Sequence, residues 1–226
     1  MFNKFEPEIK EIVEVILAGD VLVKGKIIDQ SSEILVLYTG KEYLYISFEH
    51  IQNISTAQQV EDIQSPITKP EYFTDDALKE LSLSDVLTQA IGMYTEVNVM
   101  NRQPLHGVIV NVMKDYFVFH SPIYKTMYIS TKHLKWIIPH TEEIHPYGLT
   151  KEQFYSITPN HKLADQFDLL IKSKINKLVV INLGFKGNHT GLIKNLLGKM
   201  VEVQTGENSH VFLNIEHIKV IHEISI

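Results

Sequence analysis

Apolar and polar residues alternate with a period of two along most of this chain. Val97 and Val99 alternate with Glu96, Asn98 and Met100, the pattern of a strand with one face in a core. Asn101-Arg102-Gln103-Pro104 supplies a turn. The same reading predicts strands over 105–112, 116–120, 125–130 and 133–138, punctuated by Lys114-Asp115 and Ser121-Pro122. Further turns fall at Ala18-Gly19-Asp20, Thr39-Gly40-Lys41, Lys186-Gly187-Asn188 and Gly206-Glu207-Asn208. Three segments read as helices instead. Ser82 precedes Leu83, Val86, Leu87 and Ile91, a serine cap before an apolar stripe. Residues 159–173 put Leu163, Phe167, Leu170 and Ile171 on one helical face, and residues 6–13 carry Ile9, Ile12 and Val13.

The strand pattern occurs three times. Each copy ends in a related signature: Glu49-His50-Ile51, Lys132-His133-Leu134 and Glu216-His217-Ile218. An aromatic stands five residues before each histidine, at Tyr45, Tyr128 and Phe212. Upstream lies one glycine per copy, Gly25, Gly107 and Gly191, which is 25, 26 and 26 residues before its histidine. Two residues after each glycine comes Ile27, Ile109 or Ile193, and four after it Asp29, Asn111 or Asn195. Successive glycines are 82 and 84 residues apart, longer than the period of roughly 20–50 residues of solenoid repeats. The repeat is therefore expected to be a small domain. A glycine inside a strand marks a bend or a close backbone approach, so each copy reads as five short strands curling toward a small barrel.

The expected organisation is a first unit at 1–56, an acidic proline-containing linker at 57–81, a second unit with its helix at 82–140, a linker at 141–160, and a third unit with its helix at 161–226. A unit of this size is marginal alone. Three packed together, in a pseudo-threefold or three-lobed body, would bury more apolar surface.

Composition narrows the chemistry. The net charge of -6 disfavours a protein whose main partner is a phosphate backbone. The absence of cysteine removes disulfides, thiolate zinc sites and cysteine nucleophiles, and fits a reducing compartment. Acidic residues near the start interrupt any signal-peptide core, and no apolar run approaches the roughly 18 residues of a membrane span. A cytoplasmic protein is expected.

No catalytic constellation emerges, and no cofactor is expected. His50, His133 and His217 supply one imidazole per copy, which three converging units would bring to one metal ion. The plainer alternative has each ring packed on the sheet with a nitrogen on a backbone carbonyl. His140 and His145 flank Glu142 and Glu143 but lack a helical register, so a solvated loop is expected. The glycines of residues 184–191 lie between strands and do not open a helix, which excludes phosphate-loop mechanics. Tyr38, Tyr43, Tyr45, Tyr116, Tyr124 and Tyr128 cluster in the third and fourth strands of the first two copies. Few basic residues interleave them, so strand packing or protein contact is expected over base stacking.

The second copy, from Ile91-Gly92-Met93-Tyr94 through Leu105-His106-Gly107-Val108-Ile109 to His133-Leu134-Lys135-Trp136-Ile137, resembles a family of small uncharacterised proteins of spore-forming bacilli. Those proteins are predicted to be Sm-like, and some are described as spore-coat or sporulation proteins. The resemblance implies a mainly β chain of three Sm-like five-stranded barrel units, each preceded by a short helix. It implies a non-catalytic structural or assembly role in sporulation or the spore coat, with a place in the mother cell or coat. Partners would be proteins, or further copies joined through β-edges. The alternative is an Sm-like RNA or single-stranded nucleic-acid binder. Where the late RNA-binding element of true Sm proteins would fall, this chain has Ser47-Phe48-Glu49, Ser130-Thr131-Lys132 and Asn214-Ile215-Glu216. Two of these carry a carboxylate, which is unsuited to a phosphate.

Overall fold

The alternation folds into antiparallel strands throughout, as shown by a computed structural model that describes residues 12–57, 63, 81–100, 103–140, 146–150, 163–184 and 189–224. The first group comprises β1 (Ile12–Leu17), β2 (Val21–Gln30), β3 (Ile34–Tyr38), β4 (Tyr43–Ser47) and β5 (Ile51–Thr56). After α1 (Leu83–Gln89) come β6 (Tyr94–Asn98), β7 (Leu105–Val112), β8 (Tyr116–Ser121), β9 (Lys125–Ser130) and β10 (Trp136–Pro139). After α2 (Phe167–Ser173) come β11 (Leu178–Ile181), β12 (Thr190–Leu197), β13 (Met200–Thr205), β14 (His210–Asn214) and β15 (Val220–Glu223).

All fifteen strands described join one sheet, in the order β14-β13-β12-β11-β15-β9-β8-β7-β6-β10-β4-β3-β2-β1-β5. Each group's first four strands lie side by side in chain order, and the fifth returns beside the first. The expectation of closed barrels in a pseudo-threefold body is corrected here. Among the described residues no ladder joins a group's fourth strand to its own fifth. A fourth strand left alone would expose a row of unmet N–H and C=O groups. In two of three cases the following group's fifth strand meets that demand, as β10 on β4 and β15 on β9. The sheet stays open, ending at β14 and β5.

The repeated glycine and Asx residues have one local explanation. A β-carbon on Gly107 would lie 2.2 Å from the His120 carbonyl oxygen, and one on Gly191 would lie 2.3 Å from that of Gln204. Only glycine lets these strands approach so closely. Just beyond it, the ladder slips between Ile27 and Asp29, between Ile109 and Asn111, and between Ile193 and Asn195. At each bulge the Asx side chain accepts a hydrogen bond from the next backbone N–H: Gln30, Val112 and Leu196, at 2.8, 2.8 and 2.9 Å. Bulge and glycine together bend the second strand.

Ser82 caps α1 in a capping box with Asp85. Its Val86, Leu87 and Ala90 pack with Ile34, Val36 and Tyr45 of the first group and with Ile109, Phe117 and Phe119 of the second. Both faces of β3 are thus buried, since Leu35 and Leu37 point into the first group's core. Each fully buried phenylalanine here is worth about 1.5–3 kcal/mol. In the same way α2 packs Phe167, Leu170 and Ile171 against Tyr116 and Val118.

Two helix readings change. Ile12 and Val13 open β1 and are not helical, because β-branched residues alternating with Glu14 bury Val13 and Val15 on one face; residues 6–11 lie outside the described residues. The helix expected over 159–173 begins only at Phe167, after an extended Gln166, and residues 159–162 lie outside the described residues. Most of the two linkers, His145 and the Lys186-Gly187-Asn188 turn also lie outside. No helix among the described residues is long and apolar enough to cross a membrane.

Candidate interaction edges

Two seams lie inside the sheet and, among the described residues, two edges are left at its ends. At the first seam Ile46 faces Trp136 and Tyr45 faces Ile137. Ser47 donates its N–H to the Lys135 carbonyl at 2.9 Å. The His50 Nε2 lies 3.0 Å from the Lys132 carbonyl oxygen and donates to it. At the second seam Ile129 faces Val220, Tyr128 faces Ile221 and Met127 faces His222. Ser130 donates to Lys219 at 3.0 Å, and His133 Nε2 to the Glu216 carbonyl at 2.9 Å. The three-residue turns Phe48–His50, Thr131–His133 and Ile215–His217 aim these rings and carbonyls.

Burial drives His133 down to about 4 despite that bond, and lowers His50 as well. Both rings are neutral near pH 7. The carboxylate of Glu216 bonds the Lys132 ammonium and, at 2.9 Å, that of Lys199. These bonds hold it well below the usual carboxylate range. His50 and His133 therefore serve seams within the chain, while His217 is exposed. Among the described residues no group of three His, Asp or Glu is arranged to hold a metal ion.

The tyrosines divide. Tyr45, Tyr116 and Tyr128 are buried at seams and under helices, and the Tyr116 hydroxyl donates to the Ala164 carbonyl. Tyr38, Tyr43 and Tyr124 are half-buried and Tyr45, Tyr116 and Tyr128 pack within the sheet, so only the first three reach the surface. Burial follows from β10 and β15, which pair with β4 and β9, and from α2, which packs on Tyr116 of β8.

A polar cluster lies at the first seam, where the sequence pattern points to none. Glu96 and His106 are cross-strand partners on β6 and β7, with His106 Nδ1 3.7 Å from the Glu96 carboxylate. The His140 Nδ1 lies 4.0 Å from Glu42, and the Tyr94 ring sits against both imidazoles. Burial, then Glu42, pushes Glu96 up to about 7. Burial lowers His106 and His140. The Val97–Leu105 hairpin register signalled the Glu96–His106 pair. Nothing local signalled Glu42.

At the two end strands the seam plan is present, but no further strand among the described residues meets it. Phe212 on β14 is 50% exposed, where its counterparts Tyr45 and Tyr128 are 2% and 7% exposed. The outer side of β5 carries Ile54, with exposed Asn53 and Ser55 beside it.

The chain is 31% identical over 212 residues to the uncharacterized protein YwrJ of Bacillus subtilis (strain 168), spanning 93% of this chain and 94% of that protein. A family described as the YwrJ third domain matches residues 166–221, from the cap of α2 into β15.

Proposed function

The chain belongs to the YwrJ family, and we propose that it acts without catalysis, as an assembly protein that joins chains strand to strand. The observation that carries this reading is the pair of open edges, β14 and β5, on a sheet already joined twice by such edges. An unpaired edge templates main-chain pairing, and its side chains select the partner. We read each five-strand group as one Sm-like unit, on its bulged second strand and its 4-3-2-1-5 order. The description of residues 166–221 as a third domain supports that count. The resemblance to proteins of spore formers supports a role for this assembly in sporulation or the spore coat.

The test is a fluorescent fusion followed through sporulation in a Bacillus host, beside the same fusion carrying Phe212→Lys. Recruitment to the forming coat, lost in the variant, supports the reading. Diffuse fluorescence of the wild-type fusion at every stage sinks it.

One observation favours a second reading, nucleic-acid binding. Lys132 and Lys219 are close enough to His133, and Lys135 and Lys219 close enough to His50, to lower both imidazoles. Glu216 neutralises Lys132, which is why assembly is preferred. Oligonucleotide affinity falling steeply with salt supports the second reading.

A further inference from the structure

Both seams follow one plan, and each half of that plan is left over at an end of the sheet. In each seam, the residue five before one histidine lies opposite the residue four after the next: Tyr45 with Ile137, and Tyr128 with Ile221. In each, the residue three before a histidine donates its N–H to the carbonyl two after the next. In each, the imidazole bonds the carbonyl just before the next histidine. The third group holds the donor half, Phe212, Asn214 and His217, with no strand beyond β14 among the described residues. The first group holds the acceptor half, the carbonyls of Glu49 and Gln52 with Ile54, and β5 is the sheet's other end.

We infer that β14 pairs antiparallel with β5 of a second copy of this chain, head to tail. Phe212 lies opposite Ile54, Leu213 opposite Asn53, and the His217 Nε2 donates to the Glu49 carbonyl. The Asn214 N–H donates to the Gln52 carbonyl. This rests on the assembly reading above and names its partner. A second copy fits because β5 follows the turn Phe48–His50, the counterpart of the turns before β10 and β15. An unrelated edge strand would match the ladder but not the carbonyl that receives His217.

The contact is thinner than the seams inside the chain. Glu33 and Asp115 accept from the N-terminal backbone of α1 and α2, through the N–H of Leu83 and Phe167 at 3.0 and 2.8 Å. Lys199 occupies that place in the third group, and Glu202, paired with His210, stands where Val36 and Val118 meet those helices. Asn53 and Ser55 replace Trp136 and Ile138. Two copies therefore associate by strand edge alone, reversibly, and each pair keeps one free edge of each kind unless it closes on itself.

The test is sedimentation velocity on the full chain from micromolar to millimolar concentration, with two edge variants. Phe212→Lys blocks β14, and Asn53→Lys with Ser55→Lys blocks β5. All three positions are exposed, so both variants keep the wild-type circular dichroism. The wild type is expected to shift to dimers or larger species as concentration rises. Each variant alone stays monomeric, and an equimolar mixture forms a one-to-one pair, because each supplies the edge the other lacks. His217→Ala weakens wild-type association about fivefold, the effect of one hydrogen bond. A wild type monomeric at every concentration, or a mixture that does not pair, overturns the inference. The assembly reading is then still decided in the cell, where the Phe212→Lys fusion is scored against the host's other proteins.

Discussion

His133 reaches across the second seam to Glu216, its Nε2 2.9 Å from that carbonyl oxygen. Burial lowers His133 to about 4 from its ordinary 6.5. The unfolded chain therefore binds a proton before the folded one as pH falls. The sign follows: this contribution is complete above pH 6.5 and is lost as pH falls toward about 4. The urea midpoint, measured from neutral pH down to about 4, is expected to fall more steeply for the wild type than for His133→Gln. Equal slopes would remove His133 as the source.

Glu96 works in the opposite direction. Its folded value is raised to about 7 from 4.5, so the folded chain holds the proton longer. Stability from this group is present below pH 4.5 and lost as pH rises through about 7. Glu96→Gln should leave the denaturation midpoint unchanged in acid and raise it above pH 7. A variant weaker than wild type at both extremes would contradict this.

The bend glycines are ranked by their clearance. Gly107→Ala puts a β-carbon 2.2 Å from a backbone carbonyl that has nowhere to move, whereas Gly25→Ala leaves 2.9 Å. The first substitution is expected to destabilise by about 3 kcal/mol or more, the second by less. Thermal unfolding of the two variants side by side checks the order.

Ser82→Ala removes the α1 cap, including the bond from the Asp85 N–H at 3.1 Å. Loss of about 1 kcal/mol is expected. A urea midpoint indistinguishable from wild type would mean that burial of Val86, Leu87 and Ala90 holds the helix without its cap.

What could be read from sequence was what hairpins decide locally. The strands expected at 105–112 and 125–130 coincide with β7 and β9, and Ser82 was legible as a cap because its partner is three residues away. The seams were not legible. Pairing Tyr45 with Ile137 joins distant parts of the chain, and period-two alternation is silent on which edge meets which. The tyrosines divide for that reason: whether Tyr45 and Tyr128 pack or stay at the surface depends on a strand from the next group. Ile12 and Val13 fit either period, because they are two apolar residues at the end of a short segment.

Trp136 is the chain's single tryptophan. It stands on β10 yet packs into the first group's core with Leu44 and Ile46, and its indole nitrogen has no hydrogen-bond partner among the described residues. Intrinsic fluorescence excited at the indole is thus a local probe of the joint between the first two groups and blind to the second joint. If the groups part before their strands melt, emission shifts to the red while far-ultraviolet ellipticity holds, and one denaturation run separates the two events.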